Sequence, residues 1–149
     1  MKKWLLILII LGAIILTYLL RQNFQSAIPE IKTVTVNNQI IAVEIADTPA
    51  ERKQGLSGRA SLPTGTGLLF IFNEQDYHSF WMKEMNFPID ILWLDDDFKI
   101  VDAWINAEPS SYPKTFIPKN KTRYVLETNP GEIATSTYPS EWSTGREQS

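Results

Sequence analysis

Few side chains in this sequence can do chemistry. There is no cysteine and a single histidine, His78. That excludes a thiolate nucleophile, a disulfide scaffold and a thiolate or multi-histidine metal site. No G-x-S-x-G or H-E-x-x-H pattern surrounds His78, so it lacks a recognisable catalytic setting. What remains are carboxylates, arginines and aromatic rings. Asp90 falls in the run Ile89–Leu94, on the same alternating face as Leu92 and Leu94. A carboxylate there must be paired or neutralised. Arg52, Arg59 and Lys83 are the candidate partners, and an arginine can grip a carboxylate at two points. A structural ion pair is the ordinary reading of such a group. Glu127 shares a face with Arg123 and Val125 and could join Asp90 as the second carboxylate of an acid–base pair, as glycoside hydrolysis needs.

Arg52 and Arg59 flank a turn containing Gly55 and Gly58. Glycines there let the backbone approach an anion, or simply a neighbouring strand, but the phosphate-loop spacing is missing. The segment Phe80–Met85 is rich in aromatic and sulfur side chains. It reads as core packing, unless Trp81 points outward with Lys83 and offers a stacking surface for a sugar or peptide. Asp95, Asp96 and Asp97 lack the spaced ligands of a calcium loop and read as a turn. No metal and no cofactor is expected. The candidate ligand-binding residues are therefore Arg52, Arg59, Trp81, Lys83, Asp90 and Glu127.

The elements that must position these groups read mainly as strands. Residues 32–36 and 39–46 alternate around Asn37-Asn38, a turn pair that tolerates positive φ. In the second strand Ile41, Val43 and Ile45 share one face and Glu44 takes the other. Thr48-Pro49-Ala50-Glu51 carries an N-cap, a proline at the first helical position and a capping-box glutamate, so a short helix follows, ended by Gly55 and Gly58. Leu68–Phe72 is continuously apolar and predicts a strand covered on both faces. Further strands are expected over 77–83, 89–94, 98–105 and 123–127, with a proline-containing loop over 106–122. About seven short strands and one helix, with few crossovers, predict a compact antiparallel β-sandwich or squashed barrel.

This domain is preceded by a membrane segment. Lys2 and Lys3 lead into the uncharged run Trp4–Leu20, which Arg21 closes. As a helix the run spans roughly 25 Å, at the short end for a hydrocarbon core of about 30 Å. Trp4 and Tyr18 suit the two interfaces, and the basic residues can snorkel. A cleaved signal peptide would need a small-x-small site, and Gln25-Ser26-Ala27 offers a large residue instead. The segment thus reads as a retained single-pass anchor. The basic N-terminus is expected to stay cytoplasmic and the domain to be extracytoplasmic. The expected organisation is an anchor at 1–21, a polar tether at 22–31, a β-rich domain at 32–131 and a polar, irregular tail at 132–149.

With 149 residues, 44% of them apolar and 21% charged, the composition is that of one ordinary globular domain plus this segment. The net charge is −3. Setting aside Lys2, Lys3 and Arg21 leaves the remainder more acidic still, which argues against nucleic acid as a partner. Three motifs then occur in order: Glu51-Arg-Lys-Gln-Gly-Leu-Ser-Gly-Arg59, Gly67-Leu-Leu-Phe-Ile-Phe72 and Ser79-Phe-Trp-Met-Lys-Glu-Met-Asn-Phe-Pro-Ile-Asp90. Together with Arg123-Tyr-Val-Leu-Glu127, this order resembles the DUF192 family over about residues 34–131. The resemblance implies a small, mostly β sandwich, often exported or membrane-anchored, with no established biochemical activity. Relatives usually continue past the equivalent of Asn129-Pro130-Gly131 into a closing strand with a "G-I-x-x-G-D" pattern. Residues 132–149 depart from that pattern, which predicts a strand edge left uncovered.

These observations favour a membrane-anchored binding or accessory module for a small molecule, a glycan or a protein partner, held to the lipid bilayer by its N-terminal helix. An enzyme using Asp90 and Glu127 with arginine assistance is the alternative, and a protein completed by strand addition from a partner is the third. Convergence of the charged candidates on one concave pocket would discriminate between them.

Overall fold

The computed structural model describes residues 10–18 and 32–134. Two compact units divide the chain, residues 1–30 and 31–149. In the first unit, residues 10–18 are helical. Lys2, Lys3, Trp4, Arg21, the 22–31 tether and positions 135–149 lie outside the described residues. Among the described residues no helix is long and apolar enough to cross a membrane.

The second unit is mainly β, as the alternation predicts. Its elements are β1 (Lys32–Val36), β2 (Gln39–Ala46), α1 (Pro49–Gln54), β3 (Thr66–Asp76), β4 (Phe80–Trp81), β5 (Ile89–Leu94), β6 (Ile100–Ala107), β7 (Thr115–Phe116) and β8 (Thr122–Thr128). Six strands form one sheet in the order β1-β2-β3-β8-β5-β6, and β4 pairs with β7 in a small second sheet. The sheet is not wholly antiparallel. β2 and β3 run parallel, with Glu44 opposite Leu68. A parallel pair needs a crossover, and here α1 and the loop after it supply one over a face of the sheet. Two further expectations are corrected. The proposed strand over 77–83 is reduced to Phe80 and Trp81, and the 106–122 loop contains β7 and a 3-10 turn at Pro109–Ser111.

Local chemistry accounts for these elements. Asn37 and Asn38 both take positive φ, 49° and 62°, the pair of left-handed residues that a tight hairpin needs. At α1 the capping box is complete: the Glu51 amide donates to Thr48 Oγ1 and the Thr48 amide donates to the Glu51 carboxylate. Gly55 ends the helix at φ 50°. In the β5–β6 turn, one oxygen of Asp95 accepts the amides of Asp97 and Lys99, both at 2.9 Å.

Both faces of the sheet are apolar. One carries Leu68, Phe70, Ile91, Trp93 and Val125, which pack with Leu56, Met82 and Phe116. The other carries Ile41, Val43, Leu69, Leu92, Leu94 and Leu126. The second cluster takes members from strands at both edges, as in a strongly twisted sheet coiled about one face. Ile133 joins it, 1% exposed. The Glu132 carboxylate accepts the Gly65 amide at 2.8 Å, and its backbone oxygen accepts from Gln39. The beginning of the supposed polar tail is therefore core.

Candidate functional site

The register of the sheet decides which charged groups can meet. Glu44 lies opposite Leu68, Leu68 opposite Glu127, and Glu127 opposite Ile91. These four residues form a row across one face, the face under α1. Asp90 lies opposite Thr128, so its side chain takes the other face. Asp90 and Glu127 therefore cannot act as a pair across one ligand, and the two-carboxylate hydrolase loses its second group.

Asp90 has a different task. It is 1% exposed, and its partners are not Arg52, Arg59 or Lys83. One carboxylate oxygen accepts the Asn106 amide at 2.7 Å and the other accepts the Gly131 amide at 2.8 Å. Burial raises its pKa against the pull of these two amides. Asn106 sits at positive φ in β6, where the register against β5 shifts. The carboxylate thus satisfies the amide of a bulge and ties it to the turn after β8. This is the structural role that a buried carboxylate ordinarily has, with backbone in place of arginine.

On the α1 face, the two guanidinium nitrogens of Arg59 each donate to a Glu44 carboxylate oxygen at 2.8 Å. The hydrogen bonds and charge of Arg59 hold Glu44 below its ordinary pKa, and Glu44 in turn raises that of Arg59. Glu44 was not among the sequence candidates. Its signal was slight: it is the one charged residue of Gln39–Ala46, on the face opposite Ile41, Val43 and Ile45. The loop carrying Arg59 is fixed by hydrogen bonds from the Gly58 amide to the Glu84 oxygen, from Ser57 Oγ to the Lys83 oxygen and from Asn86 to the Arg59 oxygen.

Glu127 is the unusual group. It is 5% exposed, and its Oε2 has no hydrogen-bond partner among the described residues. Burial pushes its carboxyl up to about 8, against the opposing charge of Arg59. At neutral pH it is mostly protonated and can donate as well as accept a hydrogen bond. Thr122 and Thr128 also hold unpartnered buried oxygens, but Glu127 lines a cavity. That cavity is about 40 Å³ and partly open, and its lining combines Phe70, Phe80, Trp81 and Met85 with Arg52, Gln54 and Ser57. Gly67 allows the close strand contact beneath it: a Cβ there would meet the Glu127 backbone oxygen at 2.9 Å and a Leu126 methyl at 2.8 Å.

Of the six candidates, Arg52, Trp81 and Glu127 line this cavity and Arg59 acts on Glu127 through its charge. Arg52 donates to the backbone oxygens of Ile71 and Asp47 and stacks its guanidinium over Phe72. Lys83 is outside the cavity, 3.8 Å from Glu84. Trp81 is 55% exposed, the outward orientation that a stacking surface requires. Among the described residues no three His, Asp or Glu side chains gather as a metal site would need.

This architecture has known relatives. The DUF192 family, described as an uncharacterized group, matches residues 32–138. A crystal structure from Sinorhizobium meliloti 1021, of a protein described as a candidate transcription regulator, is 31% identical with a TM-score of 0.61. That alignment covers 69% of this chain and 81% of the other. A protein of unknown function from Novosphingobium aromaticivorans DSM 12444 is 29% identical, with a TM-score of 0.61, over 70% of this chain and 83% of its own. No curated protein matches. On the extent of the family match and the agreement with both structures, the chain belongs to the DUF192 family.

Proposed function

We propose that this protein is a membrane-anchored binding module whose ligand places one polar group against Glu127. The observation that carries the reading is Glu127 itself, a buried carboxyl that lines a cavity of mixed apolar and polar residues and has an oxygen without a partner among the described residues. A buried carboxyl without a partner costs folding free energy, and a ligand group that pairs with it recovers part of that cost. The cavity is small, about 40 Å³, room for a small polar group or a few waters rather than for a whole ligand. The ligand body therefore lies outside, across the cavity mouth. An enzyme reading has no second carboxylate to support it once Asp90 is on the far face.

The anchor rests on the first unit. Ile10, Leu11, Ile14, Ile15, Leu16 and Tyr18 are each 50–60% exposed. A helix apolar on all sides needs an apolar medium, and the sequence continues uncharged to both basic flanks. The basic N-terminus supports an orientation with the β domain outside the cytoplasm.

The test is a thermal melt of the full chain, in a detergent without a sugar headgroup, against sugars, nucleotides and peptidoglycan fragments. A ligand at about 100 times its Kd stabilises by roughly 2.7 kcal/mol, a shift of several degrees for a domain of this size. The expected result is a shift in wild type that is lost in Glu127→Ala. Shifts that survive in Glu127→Ala overturn the reading. For the anchor, alkaline extraction should leave the full chain in the membrane fraction and release a chain lacking residues 1–21. External protease should reach the domain in intact spheroplasts.

A further inference from the structure

We infer that the ligand of the Glu127 site is a glycan, with a pyranose ring stacked on Trp81 and one hydroxyl directed into the cavity. The inference rests on the Glu127 reading and narrows it to a ligand class. Three observations carry it. First, Trp81 lines the cavity yet is 55% exposed, so its indole extends past the cavity mouth as a flat surface.

Second, that indole is held in place. Tyr112 packs against it edge-on, with centroids 6.2 Å apart at 73°. Its neighbour Phe80 is fixed between Phe70, 4.8 Å away, and Trp93, 6.2 Å away. β4 is a strand of two residues, and its pairing places Trp81 opposite Thr115 and Phe80 opposite Phe116. An edge-on neighbour covers at most one face of a ring, and Trp81 keeps more than half of its surface exposed. A pre-positioned ring loses little freedom on binding.

Third, the polar groups are point contacts: Glu127 contributes one carboxyl to the cavity lining, and Gln54 and Arg52 contribute an amide and a guanidinium. A sugar ring is a disc with apolar C–H faces and a rim of hydroxyls, and this lining complements it: a flat aromatic surface, a carboxyl and an amide in one small cavity. An extended peptide would instead require a ladder of backbone partners. β4 has its partner in β7, and the cavity accepts one polar group rather than a run of them.

The experiment uses the full chain in lipid nanodiscs on a glycan array and on a matched peptide array. The best-retained glycan is then titrated by calorimetry against wild type, Trp81→Ala, Trp81→Phe, Glu127→Gln and Glu127→Ala. The urea midpoint of each variant establishes that it is folded. Trp81→Ala should weaken binding about tenfold or more and Trp81→Phe much less, because a flat ring is retained. Glu127→Ala should cost roughly tenfold, the worth of one buried hydrogen bond. Removing the inserted hydroxyl from the glycan should cost at least as much, because it leaves Glu127 unpaired again.

No retained glycan, retention of peptides in place of glycans, or a glycan bound equally by Trp81→Ala overturns the inference. The parent reading fails separately. If binding depends on Trp81 but is indifferent to both Glu127 variants, Glu127 is not the ligand's partner. If peptides or simple alcohols bind in a Glu127-dependent manner without Trp81, the Glu127 site stands and the glycan falls.

Discussion

Replacing Glu127 with glutamine should make the folded protein more stable at neutral pH, by an amount that depends on pH in a fixed way. An unfolded glutamate ionises near 4.5, whereas burial in the folded state holds Glu127 protonated up to about 8. Below pH 4.5 both states carry the proton and the group adds no penalty. As pH rises, the unfolded chain gains by ionising while the folded chain does not, so stability falls until the folded carboxyl also ionises near pH 8. Each pKa unit corresponds to about 1.4 kcal/mol. The interval therefore amounts to roughly 4–5 kcal/mol, and to about 3 kcal/mol by pH 7. Glutamine keeps the shape and does not titrate. Urea unfolding of the full chain, followed by tryptophan fluorescence from pH 4.5 to 9, should show the stability difference between Glu127→Gln and wild type growing steadily and levelling off above pH 8. A difference that stays constant within 1 kcal/mol over that range would refute the argument, because it would mean that Glu127 ionises in the folded state as freely as in the unfolded one.

Other substitutions address the neighbouring contacts. Asp90→Ala leaves the Asn106 and Gly131 amides without their carboxylate partner and should cost about 2–6 kcal/mol of stability, counting about 1–3 for each unsatisfied group. Hydrogen exchange at those two amides should accelerate ahead of the rest of the sheet. Arg59→Met removes the two-point contact with Glu44. It should cost roughly 1 kcal/mol, limited by solvent screening of a pair that is partly exposed, and should raise the Glu127 pKa further; carbonyl NMR of the labelled carboxyl would read that directly. Gly67→Ala forces a methyl to within 2.9 Å of the Glu127 backbone oxygen. It should destabilise by about 1–3 kcal/mol and weaken ligand binding as well, both measured by thermal melts.

What the sequence carried well was local. The Asn37-Asn38 turn, the Thr48–Glu51 capping box and the two-faced burial of Leu68–Phe72 are set by residues within a few positions of each other, and each appears as the pattern predicts. The facial alternation of Ile41, Val43 and Ile45 against Glu44 was also visible, and so was that of Arg123, Val125 and Glu127. Pairing between strands was not. The parallel β2–β3 contact depends on a crossover whose path no period encodes, and the two-residue strands β4 and β7 are too short to show alternation. Asp90 was legible as an odd buried carboxylate, but its partners are backbone amides at positions 106 and 131, which carry no side-chain signature. Glu44 escaped notice because its partner Arg59 lies in a loop 15 residues away. Ile133 could not be foreseen as core because a single apolar residue in a polar stretch has no period.

The position of β8 in the sheet bears on how the molecule is made. β8 is the last strand among the described residues, yet it lies at the centre, between β3 and β5. Until residues 122–128 have left the ribosome, β3 and β5 each present a bare hydrogen-bonding edge lined by Leu, Ile, Phe and Trp. Two hairpins, β1–β2 and β5–β6, can form early from local contacts. They cannot join into one sheet without the final segment. Assembly is thus deferred until synthesis of the strand-bearing segment is nearly finished, which lengthens the chain's exposure to edge-to-edge misassociation. Since Glu127 arrives on that same strand, the cavity cannot exist before the fold closes.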